Sequence, residues 1–218
     1  MTLRNIIFDF DGTLGDSKGC GNIATQEAFE HFNLKVPAAE TMEYYMGIPI
    51  EESFKKMANR ELSDTEFKNL LDEFRRLYKH YEADYLTLFP GTKEMLASLT
   101  KAGKQLFVAS SKHSEALRRN LEILGIAEFF TEVVGSDLVT HYKPHPESID
   151  FIVNKHSLER TETVMVGDAV FDLQMGKAAS VRTCAVTWGS HSEEALRTEN
   201  PDFVAHDNRE LTQILTEN

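Results

Sequence analysis

Short apolar runs recur along the chain at Leu3–Phe8, Gln105–Ser110, Glu132–Gly135, Thr163–Gly167 and Arg182–Thr187. Their hydrophobicity is continuous instead of alternating, the pattern of strands buried on both faces in a parallel sheet. Between them the spacing turns helical. Leu117, Leu121 and Leu124 fall at i, i+4 and i+7, and Ile149, Ile152 and Val153 share one face. Repetition of strand, helix and strand predicts an open α/β fold whose ligands sit outside the carboxyl ends of the strands.

The stretch Lys18–Leu88 breaks this pattern and reads as consecutive helices without a convincing strand. Ser63 and Glu66 have the spacing of a capping box. Phe67, Leu70, Leu71, Phe74, Leu77, Tyr78, Tyr81 and Tyr85 then trace a helical stripe, expected to be core and not a platform for a base. An all-helical insertion after the first strand suggests a cap over the sheet's active edge. Gly12, Gly15, Gly19 and Gly21 on one side and Pro90-Gly91 on the other are suitable hinges.

With 218 residues, 41% of them hydrophobic, the chain can build a full core but not two full-sized domains. A formal charge of -12 and the lack of a basic cluster argue against nucleic acid as a partner. The same charge repels anionic substrates unless a cation is bound locally. No apolar stretch is long enough for a signal peptide or a membrane span. Cys20 and Cys184 are too few for a disulfide framework, so the expected setting is the cytoplasm, with both thiols inert.

The candidate chemistry lies at the strand ends. Asp9 and Asp11, in Asp9-Phe10-Asp11-Gly12-Thr13, would point the same way if both belonged to the first strand. The same spelling fits an ordinary Asp-Gly turn. Asp168 and Asp172 follow the fourth run one helical turn apart, where Asp168 could equally be a helix cap. Four carboxylates at one edge disfavour joint ionisation, and a hard divalent cation with oxygen ligands, Mg²⁺, resolves the conflict. No His or Cys grouping has zinc-site spacing. Ser110 and Ser111 precede a helix and suit either an anion or capping. Lys143 is a single cation beside a proline turn; Lys112, His113, His141 and His145 read as surface residues.

Taken together and in this order, these residues resemble the four signature motifs of the haloacid dehalogenase superfamily, over the whole chain. The Ser110-Ser111-Lys112 and Phe89-Pro90-Gly91 segments are most similar to phosphoglycolate-phosphatase-like members with a helical cap. The resemblance implies a Rossmann-like core from residues 1–16 and 88–218 and a cap from residues 17–87. It implies that Asp9 is the nucleophile, Asp11 the general acid/base, Ser110, Ser111 and Lys143 the phosphate-binding groups, with Ser110 and Lys143 also catalytic, and Asp172 the residue that orients Lys143 or a metal-bound water. Asp9, Asp168 and the main chain of Asp11 would hold Mg²⁺. The substrate would be a small phosphorylated metabolite, with no membrane partner.

Asp11 separates this chain from dehalogenating members, which lack a carboxylate there. Ile50 stands where the similar sugar phosphomutases carry an arginine, which favours hydrolysis over the competing mutase reading. A catalytically silent phosphate-binding module is the third reading; the intact acidic and basic set argues against it. Ala169 and Ser180 depart from the usual Ser or Thr and Gly of the superfamily. Lys18 is the candidate for a second anionic group on the substrate.

Overall fold

Side-chain alternation along the first strand, β1 (Asn5–Phe8), divides the core in two. Ile6 and Phe8 enter one hydrophobic cluster and Ile7 another, all fully buried. A strand apolar on both faces requires helices on both. The structure, a computed structural model, describes residues 2–218.

After β1 come a two-residue strand β2 (Gly15–Asp16) and the helices α1 (Lys18–His31), α2 (Ala39–Tyr44), α3 (Ile50–Met57) and α4 (Asp64–Tyr85). A second two-residue strand, β3 (Thr87–Leu88), leads back to α5 (Thr92–Lys101), β4 (Gln105–Ala109), α6 (Ser114–Ile123) and β5 (Glu132–Val134). The chain ends with α7 (Glu147–His156), β6 (Thr163–Gly167), α8 (Val170–Ala178), β7 (Arg182–Val186), α9 (Glu193–Thr198), β8 (Phe203–Ala205) and α10 (Asn208–Glu217).

The main sheet is parallel, in the order β5-β4-β1-β6-β7-β8. Because β1 is central and the chain turns to opposite sides of it, the carboxyl ends of β1, β4 and β6 meet at a topological switch point. Leucines of α5, α6 and α10 cover the face of Ile6 and Phe8, and α7 and α8 cover the face of Ile7. All the runs expected to be strands form strands. β8 escaped the periodicity because its three residues directly after Pro201-Asp202 carry too little pattern.

The helical insertion buries Cys20, Ala24, Phe29, Phe54, Leu70 and Leu77 in a cluster of its own. Phe29 and Phe54 pack edge to face with centroids 5.3 Å apart. The capping box forms: Glu66 N–H donates to Ser63 Oγ (3.3 Å) and Ser63 N–H to Glu66 Oε2 (3.0 Å). Two expectations need correction. The insertion ends in a strand after all, since Thr87 and Leu88 pair antiparallel with Asp16 and Gly15. The aromatic stripe is core only as far as Tyr81; Tyr85 is 47% exposed, and Glu82 turns inward instead.

Both cysteines are buried and unpaired. Burial pushes the Cys20 thiol up to about 12 and raises that of Cys184 as well, so neither is a thiolate nucleophile at neutral pH. No described helix is long and apolar enough to cross a membrane.

Leu70 and Ser63 sit on the same helix but contribute through different physics. Leu70→Ala is expected to cost about 2–5 kcal/mol through a cavity, and Ser63→Ala about 1 kcal/mol through a lost cap. Urea unfolding measures both; equal losses would contradict this assignment of the core.

Candidate active site

β1 ends at Phe8, and the next side chain, Asp9, is only 2% exposed. Its N–H donates to Val166 O of β6 (2.9 Å), which continues the ladder one residue past the strand. β6 ends at Gly167, so Asp168 emerges beside Asp9, and Asp172 follows from the first turn of α8. Carboxylate oxygens of Asp9, Asp168 and Asp172 lie within 4.8 Å of one another. Lys143, from the loop between β5 and α7, places Nζ 2.6 Å from Asp9 Oδ1 and 2.7 Å from Asp172 Oδ1.

These charges sit in the interior, and their proton affinities reflect it. Burial, the largest influence, pushes the Asp9 carboxyl well above its ordinary value; Lys143 opposes the shift, and Asp172 and Asp168 add to it. Burial and then Asp172 raise Asp168 to about 6, against hydrogen bonds from Ser190 N–H (2.6 Å) and Thr13 Oγ1 (3.0 Å). Burial also disfavours the Lys143 ammonium, but Asp172 and Asp9 overcome it and raise Lys143 above the usual lysine range. One ammonium among three buried carboxylates leaves an excess of negative charge when all ionise. The donor set is oxygen-only, so the residues fit a hard divalent cation.

Backbone space is tight around Asp168. A side chain on Gly12 or on Gly189 would collide with its carboxylate, and Gly12 also has φ +83°. Asp168 is not the helix cap. Ala169 holds that position, and Asp172 Oδ2 accepts its N–H (3.1 Å), the half of a capping box that the N3 carboxylate supplies; the hydroxyl half that Ser or Thr would make is missing with Ala. Ser180, the other departure, adopts φ +57°, a left-handed conformation that explains why glycine suits the position.

Asp11 stands apart from the acidic cluster. It is not in β1; it forms an isolated bridge with Gly15, so the condition for Asp9 and Asp11 to share an orientation is not met. Its Oδ1 accepts from Ser17 Oγ (2.5 Å) and from Lys112 Nζ (2.8 Å). This overturns the surface assignment of Lys112, whose side chain is 13% exposed. Lys112 also donates to Tyr78 Oη (2.7 Å) and Asn120 Oδ1 (3.0 Å). Asn120 Nδ2 donates to Glu82 (2.8 Å), which Arg119 grips with two bonds (2.6 and 3.0 Å). Burial opposes the Lys112 charge, yet Asp11 and Tyr78 hold it above the lysine range. The cue in the sequence was the inward pairing of Tyr78 and Glu82 on α4, legible only once α4 is laid against α6.

The structure brings Ser110 to the same edge, buried at the end of β4, where its Oγ accepts Lys112 N–H (3.2 Å). Ser111 Oγ donates to Gly47 O (2.7 Å) in the turn between α2 and α3. Tyr44 stacks on His191 with centroids 5.5 Å apart, a second contact between the insertion and the sheet edge. Lys18 is half-exposed and paired with Glu43 (2.7 Å). His113 is an exposed cap of α6, as expected. His141 and His145 do form a grouping, contrary to expectation: their ring nitrogens and a Glu147 oxygen lie within 4.8 Å of one another on the exposed side of the Lys143 loop.

Breaking the Lys112 network tests its weight. Lys112→Met leaves the Asp11 carboxylate without its cation, with only Ser17 Oγ still donating, and is expected to cost on the order of 3 kcal/mol. Lys79→Met, on an exposed side chain, should stay within about 0.5 kcal/mol. Equal Tm shifts would show that the Lys112 network contributes nothing to stability.

Comparison with known proteins gives one consistent result. The family of haloacid dehalogenase-like hydrolases matches residues 6–186. The chain is 29% identical to pyrophosphatase PpaX of Oceanobacillus iheyensis over 99% of its own length and 98% of the relative's. It is 30% identical to a probable phosphatase, IndB, of Dickeya dadantii (91% and 87% covered) and 28% identical to a phosphoglycolate phosphatase of Vibrio parahaemolyticus (98% and 96%). The crystal structure of a predicted phosphoglycolate phosphatase from Haemophilus somnus shares the fold, with a TM-score of 0.90, 24% identity and 98% of each chain covered. A family match across most of the chain, on a sheet of the same architecture, means that this protein belongs to the haloacid dehalogenase-like hydrolases.

Proposed function

We propose that the protein is a Mg²⁺-dependent phosphatase that hydrolyses a small phosphate monoester through a phospho-aspartyl intermediate on Asp9. The observation that carries this reading is the buried cluster of Asp9, Asp168 and Asp172 around Lys143. Residues 1–16 and 88–218 act as the catalytic core in this reading, and residues 17–87 as its cap.

Asp9 attacks phosphorus, the P–O bond to the leaving group breaks, and Asp11 gives its proton to the departing alkoxide. Water then attacks phosphorus, Asp11 takes up the proton, and the bond to Asp9 breaks to release phosphate. Splitting the hydrolysis makes both displacements easier, and the remaining task is positioning and charge stabilisation. Ser110, Ser111 and Lys143 hold the phosphoryl oxygens, and Asp172 orients Lys143 while its other oxygen is tied to Ala169 N–H. Asp9, Asp168 and the Asp11 carbonyl would hold the cation. When bound, Mg²⁺ neutralises the phosphoryl charge and orients it for in-line attack. A mutase needs a clamp for a second phosphate, and Ile50, which lines the cavity beside Asp11, has no group to supply one.

Phosphate release from p-nitrophenyl phosphate should require Mg²⁺, vanish in chelator and vanish in Asp9→Asn. Asp11→Asn should lower kcat by about 10²–10⁴; activity retained in Asp9→Asn would exclude the covalent route.

The pH dependence follows from the sign of the shifts. Asp168, raised to about 6, keeps its proton in the folded protein at pH values where the unfolded chain has lost it. Its ionisation therefore lowers the stability of the metal-free protein as pH rises through about 6, and bound Mg²⁺ removes that penalty. The increase in Tm on adding Mg²⁺ should grow from pH 5 to pH 7. An increment that is constant over this range would count against Asp168 as a ligand.

A further inference from the structure

A cavity of about 680 Å³ opens between α2, α3, α4 and the loop after β4. Asp11 and Ser111 form part of its wall, so it is continuous with the groups that would release the leaving group. Met42, Tyr45, Met46, Ile48, Phe54 and Met57 are among its apolar lining. Thioether side chains adapt to irregular apolar shapes, and a chamber of this size suits a far larger ligand than a two-carbon acid or a second phosphate.

The charges of the lining give an independent argument. Arg75 is held by Glu51 (2.6 Å) and Asp72 (3.0 Å), Arg76 by Glu73 (2.7 Å), Arg119 by Glu82 (2.6 Å) and Lys112 by Asp11 (2.8 Å). Among the described lysines and arginines of the lining, only Lys79 lacks an ion-pair partner, and it is exposed at the rim. Arg75 and Arg76 are solvent-exposed, and a carboxylate or second phosphate beside the more buried Lys112 and Arg119 would meet cations that are already paired. It would have to displace a protein carboxylate that is better placed, and an unpaired anion away from water is costly.

Resting on the phosphatase reading, we infer that the substrate is the phosphate monoester of an uncharged, predominantly apolar alcohol of several carbons or more. The reaction consumes one ester and one water and yields the free alcohol and inorganic phosphate. The chamber then contributes by burying the alcohol's apolar surface while the strand ends hold its phosphoryl group.

An n-alkyl phosphate series tests this without changing the reactivity of the leaving group. From ethyl to hexyl phosphate, kcat/KM should rise with each methylene, by about fourfold where it is fully buried. Phosphoglycolate and pyrophosphate should both fall below hexyl phosphate. Binding of non-hydrolysable hexylphosphonate and phosphonoacetate, measured by calorimetry, separates this inference from the reading beneath it. The expected result is tighter binding of hexylphosphonate, and Met46→Lys should narrow or reverse that preference. A flat alkyl series, or tighter binding of phosphonoacetate, would overturn the inference whatever the turnover. Absence of turnover for every ester, p-nitrophenyl phosphate included, would overturn the phosphatase reading, while the calorimetric ranking still decides the chamber's preference.

Discussion

Three carboxylates buried around one ammonium dominate the energetics of this protein's active edge. Taking Asp9, Asp168 and Asp172 out of water is expensive, and Lys143 compensates only part of the cost. The surrounding structure offsets a further part with fixed dipoles. Thr13 and Ser190 donate to Asp168, and the Ala169 N–H donates to Asp172. Gly12 and Gly189 are glycines because the main chain passes too close to the Asp168 carboxylate for a Cβ. The same burial that raises the proton affinity of Asp9 and Asp168 prepares the site for a cation.

The position of Asp11 follows from a second, separate charge arrangement. Lys112 holds it away from the acidic cluster and at the same time bonds Tyr78 of the helical insertion. Asn120, Glu82 and Arg119 extend the network from α6 across to α4. Asp11 is therefore tied by two hydrogen bonds in series to the helical insertion, which also lines the cavity beside it. Ser111 with Gly47 and Tyr44 with His191 fasten the other side of the insertion. The ion pairs of Arg75 with Glu51 and of Arg119 with Glu82 both seat α4 and pair charges that line the cavity.

Much of this was legible in the sequence because it depends on local pattern. Doubly buried strands read as unbroken apolar runs, and the Ser63 capping box needs only residues three apart. Asp9, Asp11, Ser110, Lys143 and Asp168 stand at strand ends or in the loops that follow them, so once the α/β alternation is read their meeting at one edge follows from topology. β8 was not legible, since three residues carry no period.

The environment of each side chain, by contrast, was decided by contacts between residues far apart in the chain. Lys112 is an ordinary surface lysine by composition, and becomes buried only because Asp11 lies 101 positions earlier and 2.8 Å away. Nothing in the sequence pairs Lys18 with Glu43, yet the two lie 2.7 Å apart. The sequence by itself determined which residues the sheet edge would gather, because strand periodicity and chain order are local properties. Only the tertiary structure decided which of those charges would pair with one another and which would be left for a ligand, because electrostatic partnership depends on distance and burial and not on separation along the chain.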